Sequence, residues 1–189
     1  MQFNTISSDA ELMMVVDETA MLTPRPFVGV GVAVLSNPIA VATKLTELAR
    51  GLCADPYYSS IPTVNSSLAK VGFHYSADMP DVRLKMLTFM QTVSFEAYLA
   101  FSDDPAVDAR YEWYDELISA ILPDRLQKHA DQPVRIVFEQ HGDIPKRRAQ
   151  LTSLVQGITA RLSKRRPPSI APYMEIGERR VGKECRSRW

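Results

Sequence analysis

The sequence contains little that would anchor a familiar chemistry. Its 189 residues include two cysteines, Cys53 and Cys185, which suggest neither a disulfide framework nor a zinc cluster. Lys+Arg and Asp+Glu each number 22, so net charge nominates neither nucleic acid, nor a membrane surface, nor an acidic substrate. No apolar run approaches the roughly 20 residues that span a bilayer. The opening Met1-Gln2-Phe3-Asn4-Thr5 has neither the basic start nor the apolar stretch of a secretory leader. There is no Walker A loop, GxGxxG turn, CxxC pair, HExxH helix or serine nucleophile elbow. Together these absences predict a cytoplasmic protein with no membrane partner and no nucleotide cradle. The rest, 46% hydrophobic and 23% charged, suits one globular domain long enough to bury a core.

The patterning of that core predicts an α/β domain. Met13 to Val16 reads as a buried strand that ends in the carboxylate pair Asp17-Glu18, and Phe27 to Leu35 as a second apolar strand closing a hairpin. A helix follows from Ile39 to about Ala54, with Val41, Leu45, Leu48 and Leu52 at helical spacing and Asp55-Pro56 ending it. A polar, proline-interrupted loop is expected over 57–67, then a short strand from Leu68 to Tyr75 carrying His74. Asp78 as N-cap, with Pro80 in the first turn, opens a helix running through Met90. Next come a strand over Val93 to Phe101, a helix from Ala109 to Leu122 ended by Pro123, and a strand from Val134 to Gln140. An amphipathic helix from Lys146 to Lys164 and an interrupted last strand over Ser169 to Met174 complete the pattern. Strands alternating with helices after an opening hairpin predict a layered α/β fold.

Carboxylates at strand ends are the first candidates for chemistry, because an unpaired buried acid is strongly disfavoured unless something uses its charge. Neighbouring strand residues point to opposite faces, so Asp17 shares a face with Met13 and Val15, and Glu18 one with Met14 and Val16. Both could hold one ion only if the strand frays at Asp17. Asp17 is therefore taken as the ligand and Glu18 as a supporting or turn residue, although an Asp-Glu pair more commonly just solvates a strand end. Glu139 follows the apolar run Ile136-Val137-Phe138 and is the second candidate, with Asp143 supporting it. Two such carboxylates could hold Mg²⁺ or Mn²⁺, which prefer oxygen ligands, and a metal pair activates water for phosphodiester cleavage. Alternatively, Glu139 or Asp143 pairs with Arg147 or Arg148. His74 and His141 sit beside expected strand ends and could assist proton transfer, whereas His129 lies in a polar stretch and carries no signal. Lys146, Arg147 and Arg148 open the last helix as a candidate grip on nucleic-acid phosphates.

The C-terminal segment 175–189 has no helical or strand period. It closely resembles the conceptual translation of a short-read sequencing adapter, which makes it a non-native, irregular tail and the chain an environmental reading frame cut short at about Met174. Without its five basic and three acidic residues, residues 1–174 hold 17 Lys+Arg against 19 Asp+Glu.

Three segments resemble the domain-of-unknown-function 3800 family, whose members look RNase-H-like. They are Val15-Val16-Asp17-Glu18-Thr19 with the strand from Phe27, Phe73-His74-Tyr75-Ser76-Ala77-Asp78 with the strand at Phe95 to Ala100, and Val134 to Glu139 with its helix. The resemblance implies a mixed sheet opening with a β-hairpin and flanked by helices, its last strand and helix missing, and a metal-dependent nuclease site. Thr19-Ala20 stands where that family has Ser-Gly, and its further C-terminal acid would fall beyond Met174. Such a site needs three or four carboxylates, so the resemblance also implies that this chain is inactive even if its parent cleaves nucleic acid. The alternative is a non-catalytic protein of the same fold, acting as a binding or defence-system partner. A small-molecule enzyme using His74 or His141 is a third class.

Overall fold

The computed structural model describes residues 12–21, 27–62, 64, 68–69, 72–74, 78–102, 110–138, 144–165 and 173–176. In chain order the elements are β1 (Leu12–Met21), β2 (Phe27–Leu35), α1 (Pro38–Ala54), α2 (Pro56–Ser59), α3 (Pro80–Met90), β3 (Phe95–Ser102), α4 (Arg110–Lys128), β4 (Val134–Phe138), α5 (Ile144–Arg165) and β5 (Tyr173–Ile176). The chain divides into two compact units, Met1–Asn37 with Phe95–Glu178, and Pro38–Ser94 with Arg179–Trp189. Among the described residues, no helix is long and apolar enough to cross a membrane.

The first unit is an α/β layer built on a mixed sheet in the order β3-β2-β1-β4-β5. β1, β2 and β3 run antiparallel as a meander, whereas β4 is parallel to β1 and β5 parallel to β4. Alternation decides which face is covered. Leu12, Met14 and Val16 of β1, Val28, Val30, Val32 and Val34 of β2, and Val134, Ile136 and Phe138 of β4 are buried in one cluster. Against them pack Tyr114, Leu117, Ile118, Leu122 and Leu126 of α4 and Leu151, Val155 and Ile158 of α5, spaced as a helical stripe requires. On the opposite face Leu99 is 60% and Phe101 62% exposed. Gly29 lies on that face, where a Cβ would stand 3.0 Å from the Phe27 ring and 3.2 Å from Thr19 Cγ2, so glycine is what lets Phe27 lie close against the sheet. The Phe27 ring in turn packs on Phe101, with centroids 5.8 Å apart.

β1 does not end at its carboxylate pair. It stays paired with β2 through Met21, so Asp17 and Glu18 stand in mid-strand, opposite Gly31 and Val30. The backbone partners offered by β2 carry the strand past the acids. β5 likewise runs through Glu175 and Ile176, two residues beyond the native end expected at Met174.

The second unit has its own core of Leu52, Tyr58, Val64, Leu68 and Val82. Three expectations fail there. The loop over 57–67 begins instead with the helix α2, whose cap is the Asp55 carboxylate accepting from the Tyr57 N–H at 2.8 Å, with Pro56 in the first turn. Among the described residues of the expected strand over Leu68 to Tyr75, none is in a strand. Leu68 and Ala69 are helical, and Gly72 takes a φ of 83°, the left-handed region outside regular strand geometry. Asp78 is not the N-cap of α3 either: Met79 holds that position without a side-chain cap bond. Asp78 is buried, and its Oδ2 accepts from the His74 N–H at 2.6 Å while its own N–H donates to the His74 carbonyl at 2.8 Å. The acid closes a loop instead of capping a helix.

α4 also outruns its expected end, passing through Pro123 to Lys128. Proline has no N–H to give the carbonyl one turn back, but the buried Leu122 and Leu126 on either side hold the turn in the core. Pro123→Ala is therefore expected to stabilise the fold, by up to about 3 kcal/mol, as read from urea denaturation. A loss of stability would mean that the proline ring itself is needed for packing.

Candidate functional site

Mid-strand geometry splits the acidic pair between two environments. Asp17 is exposed on the open face, where its Oδ1 accepts the N–H of Glu18 at 2.8 Å. Gly31 and Leu99 stand beside it in register on β2 and β3. A Cβ on Gly31 would meet nothing nearer than the Asp17 carbonyl oxygen at 4.0 Å, so the sheet is open at that point. Glu18 points to the packed face with a side chain only 10% exposed, and its Oε1 accepts from Arg147 Nη2 at 3.1 Å.

Arg147 completes a three-element centre. Its Nη1 donates to Asp115 Oδ1 at 2.6 Å, so one guanidinium holds a carboxylate from β1 and another from α4. The arginine side chain is 8% exposed and that of Asp115 32%. The planar fork of a guanidinium suits two separate acceptors, and charge-assisted bonds of this kind are stronger than neutral ones.

This placement changes the roles that the sequence suggested. Glu18, expected to support Asp17, lies on the opposite face of the sheet and belongs to a different cluster. Arg147, grouped with Lys146 and Arg148 as a phosphate grip, is buried and committed to two carboxylates, while both neighbours are exposed. Helical period explains the division: Arg147, Leu151, Val155 and Ile158 follow one stripe of α5. His74 belongs to the other unit, on an irregular segment tied to Asp78. Glu139, His141 and Asp143 lie outside the described residues. Sequence reading missed Asp115. Its signal was an acid flanking the apolar stripe of a helix, beside Tyr114 and one turn before Ile118.

The described carboxylates do not fit a divalent ion while Arg147 is in place. Mg²⁺ and Mn²⁺ need oxygen ligands, and the two acids that converge here converge on a positive charge. Among the described residues, no group of three or more His, Cys, Asp or Glu side chains is placed to hold a metal.

A second polar cluster joins β3 to the end of α4. Lys128 Nζ bonds both oxygens of Glu96, at 2.7 and 2.6 Å, the Tyr98 hydroxyl donates to the same carboxylate, and the Arg125 guanidinium lies 4.0 Å over the Tyr98 ring. The Lys128 and Tyr98 hydrogen bonds hold the Glu96 carboxyl below its usual range, and the bond to Glu96 raises Lys128. His129, next to this group, hydrogen-bonds Gln132 Nε2 through Nδ1 at 2.9 Å. Burial, aided by the charges of Lys128 and Arg125 and opposed by Glu96, pushes its imidazole below 6.5.

No protein-family model matches this chain, and no curated protein or solved structure matches it.

Two outcomes follow from these environments. Arg147→Met should lower stability by about 3–5 kcal/mol, the usual cost of removing one partner from a buried charge cluster, whereas Asp17→Asn should change it by less than about 0.5 kcal/mol; urea unfolding measures both. His129 resists protonation in the fold, so it contributes stability above the unfolded value near 6.5 that is lost as pH falls through that value towards the lower folded one. His129→Gln should flatten that part of a melting-temperature profile.

Proposed function

We propose that this chain is an RNase-H-like protein, of the class that includes metal-dependent nucleases, which does not cleave phosphodiesters in its present arrangement. The single observation that carries the reading is the guanidinium of Arg147 bound to both Glu18 and Asp115. A guanidinium held between these two acids opposes the positive ion that a hydrolytic metal site requires. The mixed sheet opening with a hairpin and the helices packed on it support the reading. With Arg147 withdrawn into the core, the exposed Lys146 and Arg148 remain to meet a nucleic-acid backbone by charge, the non-catalytic binding role.

A second reading keeps catalysis. Asp17 is exposed on the open face, beside a glycine that leaves room above the sheet, and with Glu139 it would form the Mg²⁺ or Mn²⁺ site expected from sequence.

Both readings meet in one assay of single-stranded DNA, duplex DNA and RNA with Mn²⁺. The binding reading expects no cleavage, and binding that weakens with salt and falls several-fold in Lys146→Gln/Arg148→Gln. Cleavage abolished by Asp17→Asn would overturn it in favour of the second reading.

A further inference from the structure

We propose that the outer edge of β3 is a docking strand for a second copy of this chain, with Leu99 on the two-fold axis of the pair. The two sheets join edge to edge and antiparallel, so that Ala97 of each copy lies opposite Phe101 of the other. The inference goes beyond the nucleic-acid-binding reading and does not depend on it.

Three observations carry it. First, β3 stands at the end of the sheet order and, among the described residues, pairs with β2 alone. An edge strand presents backbone donors and acceptors in a row that another strand can take up. Second, the usual protections of such an edge are missing. From Ala97 to Phe101 the strand holds no charged residue, proline or glycine, whereas natural edges are commonly blunted by lysine, proline or a bulge. Glu96, just before this segment, is held by Lys128 of its own copy. The chain as a whole carries no net charge at pH 7 to keep copies apart. Third, the edge is apolar where it meets solvent. Among the described residues of the sheet, Leu99 and Phe101 are its exposed large hydrophobic side chains, and the Phe27 ring packs against that of Phe101.

Self-complementarity selects both the occupant and the register. Opposite residues of an antiparallel pair share a face, so a two-fold axis perpendicular to the sheet must set one residue opposite its own copy. With Leu99 in that place, Phe101 lies opposite Ala97 on the open face and Tyr98 opposite Ala100 on the packed face. Each aromatic ring meets an alanine, and the two Leu99 side chains touch across the axis with the Phe101 rings diagonal to them. An axis at Tyr98 would instead bring together two tyrosine rings, each under an Arg125 guanidinium, and so set like charges close. An axis at Ala100 would lie nearer the end of β3 and shorten the paired stretch. A self-complementary contact of this kind closes after two copies.

The test uses the whole chain. Sedimentation across the micromolar range should show a monomer–dimer equilibrium and nothing larger. Leu99→Lys brings two like charges face to face and should raise the dissociation constant about tenfold or more. Its circular dichroism spectrum should not change, because the side chain is exposed. Register is read by cysteine pairing in a Cys53→Ser/Cys185→Ser background. Directly opposite residues of an antiparallel pair have Cα atoms about 4.5–5.5 Å apart, within disulfide reach. Oxidised glutathione should therefore link Leu99→Cys into a covalent dimer. Ala97→Cys, roughly 14 Å from its own copy in this register, should stay unlinked, but should link when mixed with Phe101→Cys. A chain that remains monomeric, growth beyond a dimer, a dimer indifferent to Leu99→Lys, or equal linking at positions 97 and 99 would each overturn the proposal. If Leu99→Lys fails to fold, the linking pattern alone decides.

Discussion

The guanidinium of Arg147, held at once by Glu18 and Asp115, is the constraint around which the α/β unit is arranged. It ties the central strand β1 to both helices that cover the sheet. Apolar burial supplies most of the drive to fold, but it is non-directional and tolerates small shifts of register. A charge cluster does not. A one-residue slip of β1 would turn Asp17 inward and Glu18 out, placing a shorter acid under the guanidinium. Buried ion pairs add little net stability over well-packed hydrophobic groups, yet losing one partner is costly. The cluster is therefore better read as fixing the register of β1 and the placement of α4 and α5 than as a large source of stability.

The same constraint shapes the functional reading. A continuous strand sends its neighbouring acids to opposite faces, so one sequence motif serves two settings. Glu18 is spent inside, against a cation that the chain supplies itself. Asp17 remains in water on a face where Gly29 and Gly31 keep the sheet low and Leu99 and Phe101 stand exposed. No joint carboxylate site forms from Asp17 and Glu18, and the basic triplet at the start of α5 is divided in the same way, one residue inward and two outward.

Much of this was legible in the sequence, because hydrophobic period governs it. The hairpin, the strand at Val134 to Phe138 and the stripe of α5 all follow from residue spacing, and the split of Asp17 from Glu18 follows from strand alternation. What was missed turns on longer-range packing. The end of β1 depended on pairing with β2, which no local pattern reveals, and α4 passes Pro123 because Leu122 and Leu126 are buried together. Asp78 looked like a cap because it precedes Pro80, but it closes a loop onto His74. The decisive miss was Arg147. Its position four residues before Leu151 already placed it on the buried stripe, yet grouping it with Lys146 and Arg148 by charge hid the period. Asp115 was passed over for the complementary reason, since its partner lies 32 residues away on another helix.

The most direct measurement of the central claim is the coupling free energy between Glu18 and Arg147, from a double-mutant cycle of Glu18→Gln and Arg147→Met on unfolding. A register-fixing, buried charge contact predicts a coupling above about 1.5 kcal/mol, whereas additivity within about 0.5 kcal/mol would contradict it.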